Sequence, residues 1–128
     1  MKSIDDILEM LDWNNTLMVQ EKGRKLATKI KCINVFLQPG PPYGKRVWDN
    51  CALILADRSD VELKPYIHEL LEWLIDMNWP GAYCILDRLK QYKDKEWLQY
   101  TLNVCIKEAK AMGEDIWLSN LMEINTPN

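Results

Sequence analysis

The residues able to do chemistry in this chain are few and scattered. His68 is the single histidine, so any Ser-His-Asp or Cys-His pair would have to use it. Its neighbours Ile67, Leu70 and Leu71 put it on or beside an apolar helical face, where the ordinary role of a histidine is a structural, hydrogen-bonded one. No GxSxG, HExxH, Walker-type or GxGxxG pattern occurs. Glu69, Glu72 and Asp76 recur at three- and four-residue spacing, which on one helix face would suit a metal or acid-base work and more commonly makes a solvated acidic surface. Cys32, Cys51, Cys84 and Cys105 contain no CxxC pair and sit inside helical patterns. They read as small buried apolar side chains in a reducing compartment, not as zinc ligands or a disulfide framework. The sequence thus offers no catalytic, cofactor-binding or metal-binding set.

Residues suited to recognition are better represented. Six tryptophans are many for 128 residues. Trp73 and Trp79, on and just after a helix, are expected to pack. Trp48 and Tyr43 differ, because they flank a proline-rich loop that also carries Lys45 and Arg46, and aromatic and basic residues together supply many interface hot spots. Lys22, Lys25 and Lys29 form a basic stripe, yet a net charge of −3 is far from that of a nucleic-acid binder. Split at Lys64, the first half carries +1 and the second −4, so the acids after Lys64 favour a basic protein partner. The candidate protein-binding residues are therefore Tyr43, Lys45, Arg46, Trp48, Glu69, Glu72 and Asp76, with no nucleic acid and no membrane expected. The N-terminal MKSIDDILEM has acids where a signal peptide needs an apolar run, which points to a cytoplasmic protein.

The elements that must position these residues are all helical, since each apolar pattern has a period near 3.6 and none alternates as a strand would. Ser3 caps a first helix that ends near Asp12, and Asn15 or Thr16 caps a long second one with Val19, Gly23, Leu26, Ile30, Ile33 and Leu37 on its seam. Gly23 on that seam implies close approach of a neighbouring helix. QPGPPYGKR, residues 38–46, breaks the pattern. A third helix spans about Val47 to Arg58, and Ser59 with Glu62 makes a capping box for a fourth that carries Ile67, Leu70, Leu71 and Leu74 to Asp76. A fifth turns Ala82, Ile85, Leu86 and Leu89 inward. Asp94 caps a sixth with Leu98, Leu102, Cys105, Ala109 and Met112 inward, Gly113 closes it, and a short seventh runs from Asp115 to about Ile124. Helix content of roughly 65–75% follows from this assignment.

ILEMLDWN at residues 7–14 echoes LLEWLIDMN at 70–78, as though helices one to three repeat as four to six. The expectation is one domain over residues 1–128, all-α, with about six or seven helices in a HEAT-like α-α superhelix; an irregular helical bundle is the alternative. LLEWLIDMNWPGA, residues 70–82, resembles the signature of an uncharacterised bacterial HEAT-like family, numbered 5071 among the domains of unknown function. The VWDNCA helix and the proline-rich loop resemble small Gram-positive bacterial proteins of the same general type, and the resemblance implies an immunity protein that binds and neutralises a secreted polymorphic toxin. It brings no catalytic residues. A general protein-interaction adaptor is the second reading and an enzyme the third.

Overall fold

The computed structural model describes residues 2–128, of which the sequence leads one to expect helices throughout. Among the described residues the chain is 69% helical with no strand. The α-helices are α1 (Ile4–Met10), α2 (Leu17–Ala27), α3 (Trp48–Ala56), α4 (Asp60–Leu63), α5 (Ile67–Glu72), α6 (Ala82–Lys90), α7 (Lys95–Ala111) and α8 (Asp115–Met122). A short 3-10 turn at Lys64–Tyr66 joins α4 to α5 and another at Trp73–Ile75 extends α5, so these form one irregular stretch and the α-helical stretches among the described residues number seven. Pro65 causes the first irregularity, having no N–H to donate to the preceding turn. Contacts group the chain into two units, one ending at Asp57 and one spanning Arg58–Asn128.

In the first unit, Ser3 and Asp6 form a reciprocal capping box at α1, and the Thr16 hydroxyl accepts from the Val19 N–H at the start of α2. Gly23 is where the two helices meet: a Cβ there would lie 2.9 Å from Met10 Cβ. The buried face of α2 is Gln20, Gly23 and Ala27, while Val19 and Leu26 are only partly covered. The helix is also far shorter than its apolar seam suggests. After Ala27 the chain tightens, with Thr28 hydroxyl donating to Lys25 O at 2.6 Å and i→i+3 bonds closing on Leu26 and Ala27. Ile33 and Phe36 then bury themselves from a separate 3-10 turn, Ile33–Phe36, packed on α3. Cys32 lies at that turn, exposed and outside any helix, contrary to the expected buried thiol. None of the four cysteines is in a disulfide, and Cys51 and Cys105 are buried.

Asn50, 4% exposed, ties this unit together. Its Nδ2 donates to Leu11 O at 2.7 Å and to Gln20 Oε1 at 2.9 Å, and its Oδ1 accepts from Arg24. Gln20 Nε2 in turn donates to the carbonyls of Trp13 and Asn15. Two buried amides, of Asn50 and Gln20, thereby satisfy the carbonyl of the α1 C-cap and those of the turn that leads into α2.

In the second unit the Ser59–Glu62 capping box is present as read from the sequence, and Arg88 on α6 donates to both Asp60 (2.6 Å) and Arg58 O (2.9 Å). Ile67, Leu70, Leu71, Trp73 and Leu74 are all buried, as are Ala82, Ile85, Leu86 and Leu89. Asp94 caps α7. Gly113, at φ +67°, closes it: Glu114 N–H donates to Ala109 O and Gly113 N–H to Lys110 O, a Schellman motif. Met112 stands 58% exposed beside that turn and not inward as its spacing implied, because it is already the C-cap residue. Trp117 and Leu121 of α8, with Ile124, form the buried stripe. Trp117 Nε1 donates to Leu71 O and Asn120 Nδ2 to Leu74 O, so α8 supplies donors for carbonyls at the end of α5 and of the turn that follows.

The two echoing segments end alike. Asn14 N–H donates to Asp12 Oδ1 and Asn78 N–H to Asp76 Oδ1, each at 2.8 Å. Asp76 has therefore left the helix (φ −136°), and it does not share one α-helical face with Glu69 and Glu72.

Candidate protein-binding site

The seven sequence-predicted residues fall into the two units. Tyr43, Lys45, Arg46 and Trp48 come together in the first, on the loop and the 3-10 turn Gly44–Val47 that leads into α3. Three of them are engaged within that unit. Trp48 is partly buried and its Nε1 donates to Pro39 O at 2.9 Å. Arg46 pairs with Asp12 at 3.0 Å and donates to Pro42 O at 2.9 Å. Tyr43 hydroxyl donates to Asp5 Oδ1 at 2.7 Å, and this bond to a carboxylate pushes the phenol up to about 12. Lys45 is exposed.

Glu69, Glu72 and Asp76 belong to the second unit and have three different surroundings. Glu69 is exposed, Glu72 pairs with His68, and Asp76 holds its turn. His68 is clamped: Nε2 lies 2.9 Å from Glu108 Oε1 on α7 and Nδ1 lies 3.3 Å from Glu72 Oε1. Burial lowers its pKa, but the hydrogen bond and charge of Glu108, with Glu72 and Glu69, outweigh this and hold it above its ordinary value. Both ring nitrogens face carboxylates, so the imidazole ties α5 to α7 as a structural group. Burial pushes the Cys51 thiol up, and burial together with Glu108, Glu72 and Glu69 pushes Cys105 up to about 12, which leaves both poor nucleophiles.

A groove of about 730 Å³ opens in the second unit where the Trp73–Ile75 turn meets the start of α8. Ile75, Trp79, Ile116 and Trp117 supply its apolar lining, and Asp76, Glu114 and Asp115 its charge; no Lys or Arg lines it. Ile116 is 74% exposed. Only Asp76 of the sequence-predicted set is here. Glu114 and Asp115 read in sequence as ordinary acids near a helix N-terminus, where the macrodipole favours them, and Glu114 makes no side-chain cap bond. A signal for Ile116 did exist: the buried stripe 117, 121, 124 leaves position 116 off the packed face.

A second aromatic surface lies in the same unit. Trp97 and Tyr100 stack with centroids 5.8 Å apart, Lys64 Nζ sits 5.4 Å from the Trp97 ring, and Trp97 Nε1 donates to Lys64 O. This surface is occupied by its own cation, whereas the acid-rimmed groove is not. Among the described residues no helix is long and apolar enough to cross a membrane.

No curated protein and no solved structure matches the chain. The family described as a domain of unknown function, DUF5071, matches residues 48–127, a span that holds all of α3 to α8 and every residue of the groove, and the chain belongs to that family.

Proposed function

We propose that this protein acts by binding another protein and not by catalysis, and that its specific role is immunity: it holds a cognate bacterial toxin in an inactive complex in the cytoplasm. The observation that carries this reading is the groove, where an isoleucine 74% exposed stands among three carboxylates with no basic side chain in the lining. Exposed apolar surface rimmed by charge is characteristic of a docking site. The clamped state of His68 and the raised thiols of Cys51 and Cys105 favour binding over chemistry. The HEAT-like reading draws support from the twin Asp-x-Asn turns that end the two echoing segments. Acids suit the role, because toxins that cut nucleic acids are commonly basic and electrostatic attraction speeds their capture.

The test is co-expression of the chain with a toxin encoded beside it, scoring survival and co-purification. Survival with a stable complex supports immunity. A complex without protection reduces the reading to an adaptor, and neither complex nor protection removes it.

A further inference from the structure

We infer that the groove between the Trp73–Ile75 turn and α8 is the seat for an arginine-bearing segment of a basic protein partner. The inference rests on the binding reading above and specifies the chemistry of what binds. Three observations carry it. The groove is large enough for a few side chains, at about 730 Å³. Its apolar lining is presented and not spent on the fold at one point in particular, Ile116, in contrast to the neighbouring Trp117, which is 1% exposed with its Nε1 bonded to Leu71 O. Its charge is not paired with a cation: Asp76, Glu114 and Asp115 have no ion pair with a Lys or Arg among the described residues, and of their carboxylates Asp76 accepts the Asn78 N–H of its own turn.

Complementarity then selects the occupant. Three carboxylates repel phosphate, which disfavours a nucleic acid or an anionic lipid. They attract a cation, and the apolar lining requires that cation to bring its own apolar stem. Lysine and arginine both do so, but the planar guanidinium lies flat on an indole or aliphatic surface and engages carboxylates two oxygens at a time. An arginine stem laid on Ile116, with its head between Asp76 on one side and Glu114 and Asp115 on the other, satisfies both requirements.

The experiment uses the full ¹⁵N-labelled chain titrated with three capped tetrapeptides, Ac-Gly-Leu-Arg-Gly-NH₂ and its lysine and citrulline analogues, citrulline keeping the shape of arginine without its charge. The arginine peptide is expected to shift amides at residues 75–79 and 113–117, the lysine peptide to bind more weakly, and the citrulline peptide to bind weakest. In the isosteric triple variant Asp76→Asn, Glu114→Gln, Asp115→Asn, affinity for the arginine peptide should fall about tenfold, with amide dispersion confirming the fold. Ile116→Ser, an exposed position, should weaken all three peptides. Equal binding of arginine and citrulline peptides, or arginine binding that the triple variant leaves unchanged, overturns the inference. If no peptide binds while Ile116→Ser loosens a co-expressed toxin, the arginine assignment fails and the binding reading survives.

Discussion

Replacing Gly23 by alanine tests how the first unit is built, and its effect is worked from two distances. An added methyl would stand 2.9 Å from Met10 Cβ and 3.0 Å from Leu11 Cδ2, against about 3.5–4.0 Å for comfortable carbon contacts. Met10 Cβ is fixed to the α1 backbone, and Leu11 is 0% exposed, so neither neighbour can swing clear. Overpacking costs about 1–3 kcal/mol, and two neighbours that cannot move put this site in the upper part of that range, about 2–3 kcal/mol. Alanine returns about 1 kcal/mol of helix propensity, which leaves a net loss of about 1–2 kcal/mol. With a urea slope of roughly 2 kcal/mol per molar, the unfolding midpoint followed by far-UV circular dichroism should fall by about 0.5–1 M. Gly40→Ala is the control, since nothing lies within 4 Å of its Cβ position and its φ is not in the left-handed region; it should be neutral or stabilising by under about 1 kcal/mol. A Gly23→Ala protein as stable as the parent would refute the close approach of α1 and α2.

Three further outcomes follow from the same structure. Asn50→Ala strips partners from Leu11 O, Gln20 Oε1 and Arg24 at a buried position and should cost about 3 kcal/mol, read as a urea midpoint well below that of Asn50-containing protein. His68, held above the ordinary imidazole value of 6.5 by Glu108, Glu72 and Glu69, should contribute stability that is fully present below pH 6.5 and is lost as pH rises through its raised value. The stability difference between parent and His68→Gln should therefore shrink from pH 5.5 to pH 8, by a modest amount because the side chain is 35% exposed; a difference that grows with pH would contradict the clamp. A thiol reagent should modify Cys32 quickly and Cys51 and Cys105 only on unfolding, so Cys32→Ser should remove the fast phase.

Local chemistry was the most legible part of the sequence. Ser3, Ser59 and Asp94 cap the helices that the sequence assigns to them, Thr16 takes the α2 cap that the sequence leaves open between it and Asn15, and Gly113 closes α7, because capping depends on a hydroxyl or carboxylate within three residues of its donor. Dense apolar stripes read correctly for the same local reason, as in Ala82, Ile85, Leu86 and Leu89. Length and termination were harder. No glycine or proline marks the end of α2, so Ile30, Ile33 and Leu37 continued its seam on paper while the Thr28 bond and 3-10 tightening ended it in space. The site was least legible. Glu69, Glu72 and Asp76 keep helical spacing in sequence, but the 3-10 turn at Trp73–Ile75 rotates Asp76 into a groove whose other acids come from a turn some forty residues away, and only tertiary packing brings them together.

The measurement closest to the proposal is titration calorimetry of the purified chain with the basic toxin partner proposed for it at two salt concentrations, repeated with Ile116→Ser and with the triple carboxamide variant. One-to-one binding is predicted, weaker at high salt, with both variants folded and binding less tightly and the triple variant showing less salt dependence. A toxin bound equally well by the parent and both variants, or enzymatic turnover by this chain in place of a stable complex, would contradict it.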